Sequence, residues 1–341
     1  MNDLKSGLIG RIVAVCAVLS AVLLASMLLG LAAGSSSEGL AEGMRAVFSS
    51  LSDRPSEKHE MIRTIIWQIR FPRVLVAALV GAALSLGGLV FQALLRNPLA
   101  EPYILGISGG SAIGAIIGIL MGLSNFPGVA VTAFVGSMGV LALVLVLSSG
   151  QSVLKKDSLL LSGVMVNAFC SAVIMFLISL TQDARIHNIL FWLMGDLSLA
   201  ELRQAGILAA TAIPCFVLIF LLSDKMNLML MGKDMARSMG VNIKAVTLAL
   251  LVTTSFMISS TVCQVGLLGF VGLVIPHLLR LLLGPDHRVM VPACIIGGAA
   301  YMTACDLLAR TLPDQGEIPA GVITAMIGAP LFIILLKRSG S

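Results

Sequence analysis

The chain has 341 residues, of which 58% are hydrophobic and only 11% are charged. A soluble domain carries about 25% charged residues, so the composition excludes a water-soluble protein and predicts an integral membrane protein. The net charge of +5 does not indicate nucleic-acid binding, because basic residues of membrane proteins concentrate in their cytoplasmic loops.

Membrane-spanning helices are predicted from the stretches that contain no Asp, Glu, Lys or Arg, since a spanning helix needs about 20 mostly apolar residues. The turn sequence SNFPG at 124–128 divides the longest stretch into two spans, whereas the stretch 245–279 is ambiguous between one span and two. The stretches are 12–37, 74–95, 102–154, 158–182, 204–223, 245–279, 289–305 and 318–336.

The number of spans follows from the charges at the two ends of the chain. Both ends are basic, which predicts that both termini are cytoplasmic and that the number of spans is even. We therefore predict ten spans in a single domain (1–341), with the ambiguous stretch divided near Gly266 and Gly269. The first apolar run is too long for the core of a signal peptide, so we interpret it as a retained span. The long outer loop is then 38–73.

The third predicted span carries a glycine at every fourth residue, and on a helix these form a stripe without side chains. Such a stripe allows a neighbouring helix to approach closely. We expect close helix packing, which is compatible with a place in the wall of a transport pathway. The stripe consists of Gly106, Gly110, Gly114, Gly118 and Gly122.

Several classes of function lack the residues that they need. The predicted spans contain no carboxylate, which argues against a transporter driven by protons or sodium. The sequence HEMIR at 59–63 lacks the second histidine of a zinc HExxH site. Gly232 and Lys233 are followed by Asp234, where an ATP-binding P-loop has Ser or Thr. We therefore predict no catalytic residue, no metal and no cofactor in this chain.

The segment 224–244 is polar and lies on the predicted cytoplasmic side. It is predicted to form two short amphipathic helices, the first ending at Gly232 and the second at Gly240. A surface helix with a methionine face suits docking into a groove of a partner protein, and contact with lipid head groups is the alternative. Residues three or four apart share a helix face, so the pairs are Met235 with Met239 and Lys233 with Arg237.

Four motifs follow one another along nearly the whole chain. They read RFPRVLVAALVGAALSLGGLVFQALLRNPLAEPYILGISGG (70–110), MGKDMARSMGV (231–241), GFVGLVIPHLLRLLLGPDHR (269–288) and EIPAGVITAMIGAPLFIILLK (317–337). Together they resemble the FecCD family, the permease subunits of binding-protein-dependent ABC importers for iron-siderophores, haem and cobalamin. The resemblance implies an all-α, ten-helix type II ABC-importer permease. It also implies a homodimer with a central path, an ATPase dimer below it and a substrate-binding protein outside.

The resemblance further implies the role of the polar cytoplasmic segment. In the family, the short helices between the sixth and seventh spans dock into the ATPase subunits, which carry the ATP and Mg²⁺. The residues that match this coupling region are Gly232, Lys233, Asp234, Met235, Arg237 and Gly240.

Two more sites are implied by the resemblance. In the family, arginines on the outer rim receive acidic residues of the binding protein, and the matching positions are Arg70, Arg73 and Arg310. The loop between the fourth and fifth spans forms the cytoplasmic gate of the cobalamin members. It corresponds to Lys156, Asp157 and Ser158 in the sequence KKDS, which departs from the small hydroxyl residues that are usual there.

The resemblance places the protein in the inner membrane of the cell. Two alternatives stay open but have no supporting motif: a secondary transporter driven by an ion gradient, and a membrane enzyme. The residues do not choose among iron-siderophore, haem and cobalamin as the cargo, since specificity in such systems lies on the binding protein.

Overall fold

The computed structural model describes residues 2–33, 61, 63–101, 103–148, 156–181, 183–313 and 316–339, and within these ranges the chain is helical and has no β-strand. Most of the predicted outer loop 38–73, including His59 and Glu60, lies outside the described residues. The helices are α1 (Asn2–Ala32), α2 (Phe71–Leu95), α3 (Ile107–Leu120), α4 (Ala130–Ser148), α5 (Lys156–Ser179), α6 (Asp183–Met194), α7 (Leu202–Leu221), α8 (Ser223–Leu230), α9 (Lys233–Ser238), α10 (Ile243–Val265), α11 (Val271–Leu283), α12 (His287–Thr311) and α13 (Ala320–Ser339).

Seven helices of the described part of the chain are long and apolar enough to cross a membrane, as the composition predicts for an integral membrane protein. Three shorter apolar helices, α3, α11 and α13, accompany them. The predicted total of ten spans requires these three to cross as well. The seven long ranges are Gly7–Ala32, Ile65–Leu95, Asn125–Leu147, Leu159–Ser179, Leu202–Leu221, Ile243–Val265 and His287–Thr311.

The ambiguous stretch 245–279 contains a break at the predicted glycines. Helix α10 ends at Val265, and the backbone of Gly266 has φ +78°, a conformation that glycine adopts without steric cost. A Cβ atom at Gly266 would overlap the carbonyl oxygen of Trp192. Helix α11 follows with 13 residues, about 20 Å at 1.5 Å per residue, which is short of the ~30 Å hydrocarbon core.

Helix α2 lies at the centre of the protein. It packs against α7, α10, α11 and α12, and every residue from Val80 to Gln92 is buried. A helix that is apolar all round is stable only where neighbours surround it. Two of these neighbours approach at glycines, because a Cβ atom at Gly81 would overlap Gly298 of α12 and one at Gly88 would overlap Gly272 of α11.

The glycine stripe of the third predicted span packs against the fourth. A Cβ atom at Gly110 would overlap the carbonyl oxygen of Gly136, and Cβ atoms at Gly114 and Gly118 would overlap Thr132. Gly106 precedes α3 with φ +75°, whereas Gly122 has no other group within 4 Å of a Cβ atom. The stripe therefore holds α3 close to α4 through its central three glycines.

Helices extend further than the charge-free stretches predicted. Helix α12 continues to Thr311, past the predicted end at residue 305, because Asp306 and Arg310 pair with each other one turn apart. A π-helical turn (Ile65–Arg70) extends α2 into the predicted outer loop. Helix α6 lies wholly within a region between predicted spans, since its charged residues excluded it from the search for spans.

Candidate functional site

The polar segment 224–244, which is predicted to be cytoplasmic and is called the coupling segment below, contains α9 and all of α8 except Ser223, separated by Met231 and Gly232. Gly232 has φ +122° and Gly240 has φ +80°, and L side chains rarely adopt either conformation. Asn242 then accepts a hydrogen bond from the amide of Ala245 and caps α10. The two glycines thus allow the sharp turns that set α9 between α8 and α10.

The coupling segment carries three exposed methionines, called the methionine ridge below. Met235 and Met239 lie one turn apart on α9 and its C-cap, whereas Met231 ends α8 before the turn at Gly232. Met231, Met235 and Met239 follow one another at intervals of four residues and are 69%, 52% and 58% exposed. Ala236 is fully buried and anchors α9, and its carbonyl accepts the amide of Val241. Because methionine is unbranched and polarisable, a methionine ridge adapts to the groove of a partner.

A charged pair lies beside this ridge. Arg237 and Asp234 are 3.8 Å apart (Nη1 to Oδ1) and are both largely exposed, and exposed pairs of this kind contribute little to stability. Their charges are therefore free to serve a partner rather than the fold. The side chain of Lys233 lies outside the described part of the structure.

A polar clamp joins α8 to the beginning of α12, and sequence reasoning missed it. Asn227 donates from Nδ2 to Oδ1 of Asp286 at 2.7 Å, and its Oδ1 accepts the amide of His287 at 2.9 Å. Arg288 lies 3.5 Å from Asp224 at the start of α8. The sequence signal was present as the PDHR motif, since Asp before a helix is a common N-cap.

The charge state of this clamp is set by Asp286. Partial burial by itself raises the pKa of Asp286, but hydrogen bonds from Arg288 and Asn227 outweigh it and lower the pKa to about 2. Asp286 also caps α12 by accepting the amide of Arg288 at 3.0 Å. Asp286 is therefore anionic at neutral pH and holds α8 through a charge-assisted hydrogen bond from Asn227.

Helix α8 is also tied to the end of α2. Arg96, which ends α2 in a left-handed conformation, donates from Nη2 to the carbonyl of Met229 at 2.7 Å. Near the same end, Gln92 accepts from Arg280 at 3.0 Å and donates to the carbonyl of Gly272 at 3.2 Å. Hydrogen bonds therefore link the coupling segment to both α2 and α12, and α2 in turn to α11.

The three arginines predicted to dock a binding protein lie together at the other end of the bundle. Arg73 pairs with Asp306 (Nε to Oδ1, 2.8 Å) and with Glu317 (Nη1 to Oε2, 2.6 Å). Arg310 lies 3.2 Å from the second oxygen of Asp306. Arg73 and Arg310 are each 3% exposed and Asp306 is fully buried, so these charges are compensated within the protein.

The end of α1 completes this arginine cluster. Arg70 donates to the carbonyls of Leu31 and Ala32 at 3.0 and 2.9 Å, and Arg310 donates to the carbonyl of Gly30 at 3.1 Å. The last carbonyls of a helix have no partner within the helix and carry a partial negative charge. In this structure, the guanidinium groups of Arg70 and Arg310 satisfy them.

Two predictions remain, on the gate residues and on metal binding. Helix α5 begins at Lys156, but the side chains of Lys156, Asp157 and Ser158 lie outside the described part of the structure. Within the described ranges, no group of three or more His, Cys, Asp or Glu residues is placed to hold a metal ion.

Comparison with known protein families gives one match along nearly the whole chain. The pattern of the FecCD transport family matches residues 22–338. The vitamin B12 import system permease protein BtuC of Klebsiella pneumoniae subsp. pneumoniae is 39% identical over 274 residues, which are 80% of this chain and 82% of that protein. The protein of the same name from Salmonella schwarzengrund is 38% identical over 274 residues, which are 80% and 84% of the two chains.

Solved structures have a similar fold. An inward-facing conformation of a metal-chelate type ABC transporter has a TM-score of 0.84 and 30% identity, over 95% of this chain and 99% of that chain. PsaBC from Streptococcus pneumoniae in complex with Fab has a TM-score of 0.56 over 81% and 94% of the two chains. Its 17% identity limits this second likeness to the fold.

Proposed function

Because the chain belongs to the FecCD transport family, we propose that it forms the membrane path by which a cobalamin-type metal chelate enters the cell. It is a multi-pass permease of an ABC importer, and the alternative of a secondary transporter receives no support from its relatives. The choice of a cobalamin-type cargo rests on one observation, which is the 39% identity to a vitamin B12 import permease.

The partner that supplies energy is a separate ATPase dimer carrying ATP and Mg²⁺, which docks on the coupling segment. The methionine ridge at Met231, Met235 and Met239 supplies the apolar contact, and Asp234 and Arg237 beside it supply the charges. Gly232 and Gly240 fix the position of α9 through their positive φ angles. This arrangement is a helix-in-groove contact, in which residues about four apart supply the anchors.

A second copy of the chain encloses the path. Helix α5 is apolar and largely exposed, yet it presents Asn167 and Ser171 on its exposed side. Polar groups in a spanning helix avoid lipid and face a partner or a water-filled path. The polar side of α5 is therefore the surface on which the second copy and the cargo path are expected, with Lys156, Asp157 and Ser158 as the gate at its cytoplasmic end.

The substrate-binding protein docks at the outer arginine cluster. Glu317 is the most accessible carboxylate of the cluster, with a side chain 32% exposed, whereas that of Asp306 is 1% exposed. An acidic residue of the binding protein can therefore reach Arg73 by displacing Glu317 while Asp306 keeps its contact. The proposal includes ten spans in the inner membrane with both termini in the cytoplasm.

The experiment is uptake into proteoliposomes that contain this chain with its cognate ATPase and binding protein. We expect labelled vitamin B12 to accumulate only when ATP and Mg²⁺ reach the ATPase side. Haem and a ferric siderophore, delivered in the same way, serve as competing cargoes. Uptake driven by a proton or sodium gradient without the ATPase would overturn the proposal, and preferred uptake of haem or the siderophore would overturn its choice of cargo.

A further inference from the structure

A cavity of about 690 Å³ opens at the face that the proposed topology assigns to the outside. Its walls come from the π-helical turn before α2, the turn at Asn125, helix α6, the segment 196–204 and the end of α10. Small-molecule sites in proteins are typically of 300–1,000 Å³ with a few convergent polar groups. The cavity therefore has the size of a ligand site, and no function has yet been assigned to it.

The lining of the cavity is rich in carboxamides. Five Asn and Gln side chains border it together with three Phe or Trp rings and the imidazole of His187. A carboxamide both donates and accepts hydrogen bonds, so such a wall is complementary to amide and hydroxyl groups of a ligand, and aromatic rings cover its apolar parts. The carboxamides are Gln68, Asn125, Asn188, Gln204 and Gln264, and the rings are Phe126, Phe191 and Trp192.

The charges around the cavity disfavour an anion. Asp196 and Glu201 are in its wall, and none of the described residues that line it is Lys or Arg, although the imidazole of His187 also lines it. The carboxylate of Asp196 is held in place by the amide and the hydroxyl of Ser198, at 2.8 and 2.7 Å. The nearby Arg203 lies over the ring of Phe126, with its guanidinium carbon 5.9 Å from the ring centre, but it is not in the wall.

The oxygen of one carboxamide lacks a hydrogen-bond donor. Gln264 donates from Nε2 to the carbonyl of Ser260 at 3.0 Å, but its buried Oε1 has no partner. A buried acceptor without a donor is costly, and most such groups are satisfied in folded proteins. Gln264 lies in the cavity wall, but its Oε1 has almost no accessible surface. A ligand that carries an N–H or O–H group therefore supplies the missing donor only when the Gln264 side chain turns towards the cavity.

We propose that this cavity is a cargo subsite, which receives an uncharged, amide- or hydroxyl-bearing part of the chelate on its way into the path. The inference rests on the proposed importer function and adds to it the chemistry that the permease itself favours. A cargo with carboxamide arms fits the wall, whereas one with exposed carboxylates meets Asp196 and Glu201.

The position of the cargo is tested by cysteine labelling. Leu199 lies in the cavity wall and is 68% exposed, and Leu202 is 53% exposed but lies outside the wall. Leu199→Cys and Leu202→Cys variants of the full complex are labelled with a thiol reagent while the binding protein is docked, either empty or loaded with vitamin B12. We expect the cargo to slow labelling of the Leu199→Cys variant only. Equal labelling with and without cargo would overturn the proposal.

The chemistry of the wall is tested with Gln264→Leu, which removes the unpaired acceptor and puts an apolar side chain of similar size in its place. The loss of one hydrogen bond to the cargo predicts vitamin B12 uptake that is about five- to tenfold slower. Unchanged uptake would contradict the role of Gln264, provided that basal ATP hydrolysis shows an intact complex. If the wild-type complex takes up vitamin B12 but the Leu199→Cys variant shows no cargo-dependent protection, the subsite fails alone. If it takes up none, the proposed function fails.

Discussion

The side-chain amide of Asn227 donates a hydrogen bond to the carboxylate of Asp286 over 2.7 Å, and this contact joins the coupling segment to the helix that reaches the arginine cluster. Helix α12 has 25 residues, so it is about 37 Å long. Asp286 caps its first turn, whereas Asp306 and Arg310 lie near its last turn. One continuous helix therefore joins the contact with α8 to the arginine cluster.

Replacing Asn227 with Asp should uncouple the importer. The new carboxylate keeps the size of the side chain but faces Asp286 at hydrogen-bond distance, where two like charges repel. It also loses the donor that Asn227 provides. We expect basal ATP hydrolysis to persist and its stimulation by the loaded binding protein to fall, together with uptake, which a reconstituted ATPase assay measures directly.

A matched control for this variant lies in the same segment. Asn242→Asp makes the same chemical change, but Asn242 acts as an acceptor at the N-cap of α10, where Asp is as favourable as Asn. We expect wild-type coupling in this control. Equal loss of coupling in both variants would mean that any negative charge in the coupling segment is harmful, and the clamp would lose its role.

The exposed pair Asp234 and Arg237 gives a second prediction. Because an exposed pair contributes ~0–1 kcal/mol to stability, the double variant Asp234→Ala/Arg237→Ala should fold and should keep its affinity for the binding protein. Uptake should nevertheless fall, since the charges serve the ATPase. Binding-protein affinity measured by surface plasmon resonance and uptake measured in proteoliposomes separate the two effects. Undiminished uptake would refute the assignment of the coupling segment.

Sequence patterns predict what depends on local composition. The glycine break at Gly266 and the turns at Gly232 and Gly240 could be predicted, because few other residues adopt their backbone conformations. The clamp of Asn227 with Asp286 could not be predicted, because the two residues are 59 positions apart and both residue types are common in loops. The same holds for the ion pairs of Arg73 with Asp306 and Glu317, which also join distant residues. The charges of Asp306 and Arg310 concealed the last turns of α12 from the search for apolar spans.

Replacing the buried carboxylate of the arginine cluster should affect stability, whereas replacing the accessible one should affect the binding of a partner. Asp306→Asn leaves Arg73 and Arg310 buried with less compensation, and breaking a buried ion pair costs about 3–5 kcal/mol. We expect this variant to lose thermal stability in detergent.

Glu317→Gln leaves Asp306 in contact with Arg73 and frees Nη1 of Arg73 for an acidic residue of a partner. We expect it to fold and to bind the binding protein at least as tightly as the wild type.

The Glu317→Gln variant also tests whether Arg73 can bind a partner. Affinity for the binding protein is measured at low and high salt, because contacts between charges weaken as salt screens them. The double variant Glu317→Gln/Arg73→Lys provides the control, since Lys cannot make the bidentate contact of Arg. Weaker binding of the single variant would mean that Glu317 itself contacts the partner.

Glu101 gives a prediction that depends on pH. Its Oε1 accepts the amide of Phe270 at 3.3 Å, next to the break between α10 and α11, and burial raises its pKa above the ordinary value of 4.5. The folded protein therefore holds this proton more tightly than the unfolded chain, so stability decreases as the pH rises from 4.5 through the raised pKa.

Glu101→Gln keeps the acceptor and cannot ionise. Its Tm should exceed that of the wild type at pH 8 and approach it near pH 4.5, while Glu101→Ala, which lacks the acceptor, should melt below the Gln variant throughout. A difference between the Gln variant and wild type that does not change with pH would show that Glu101 is not protonated on folding.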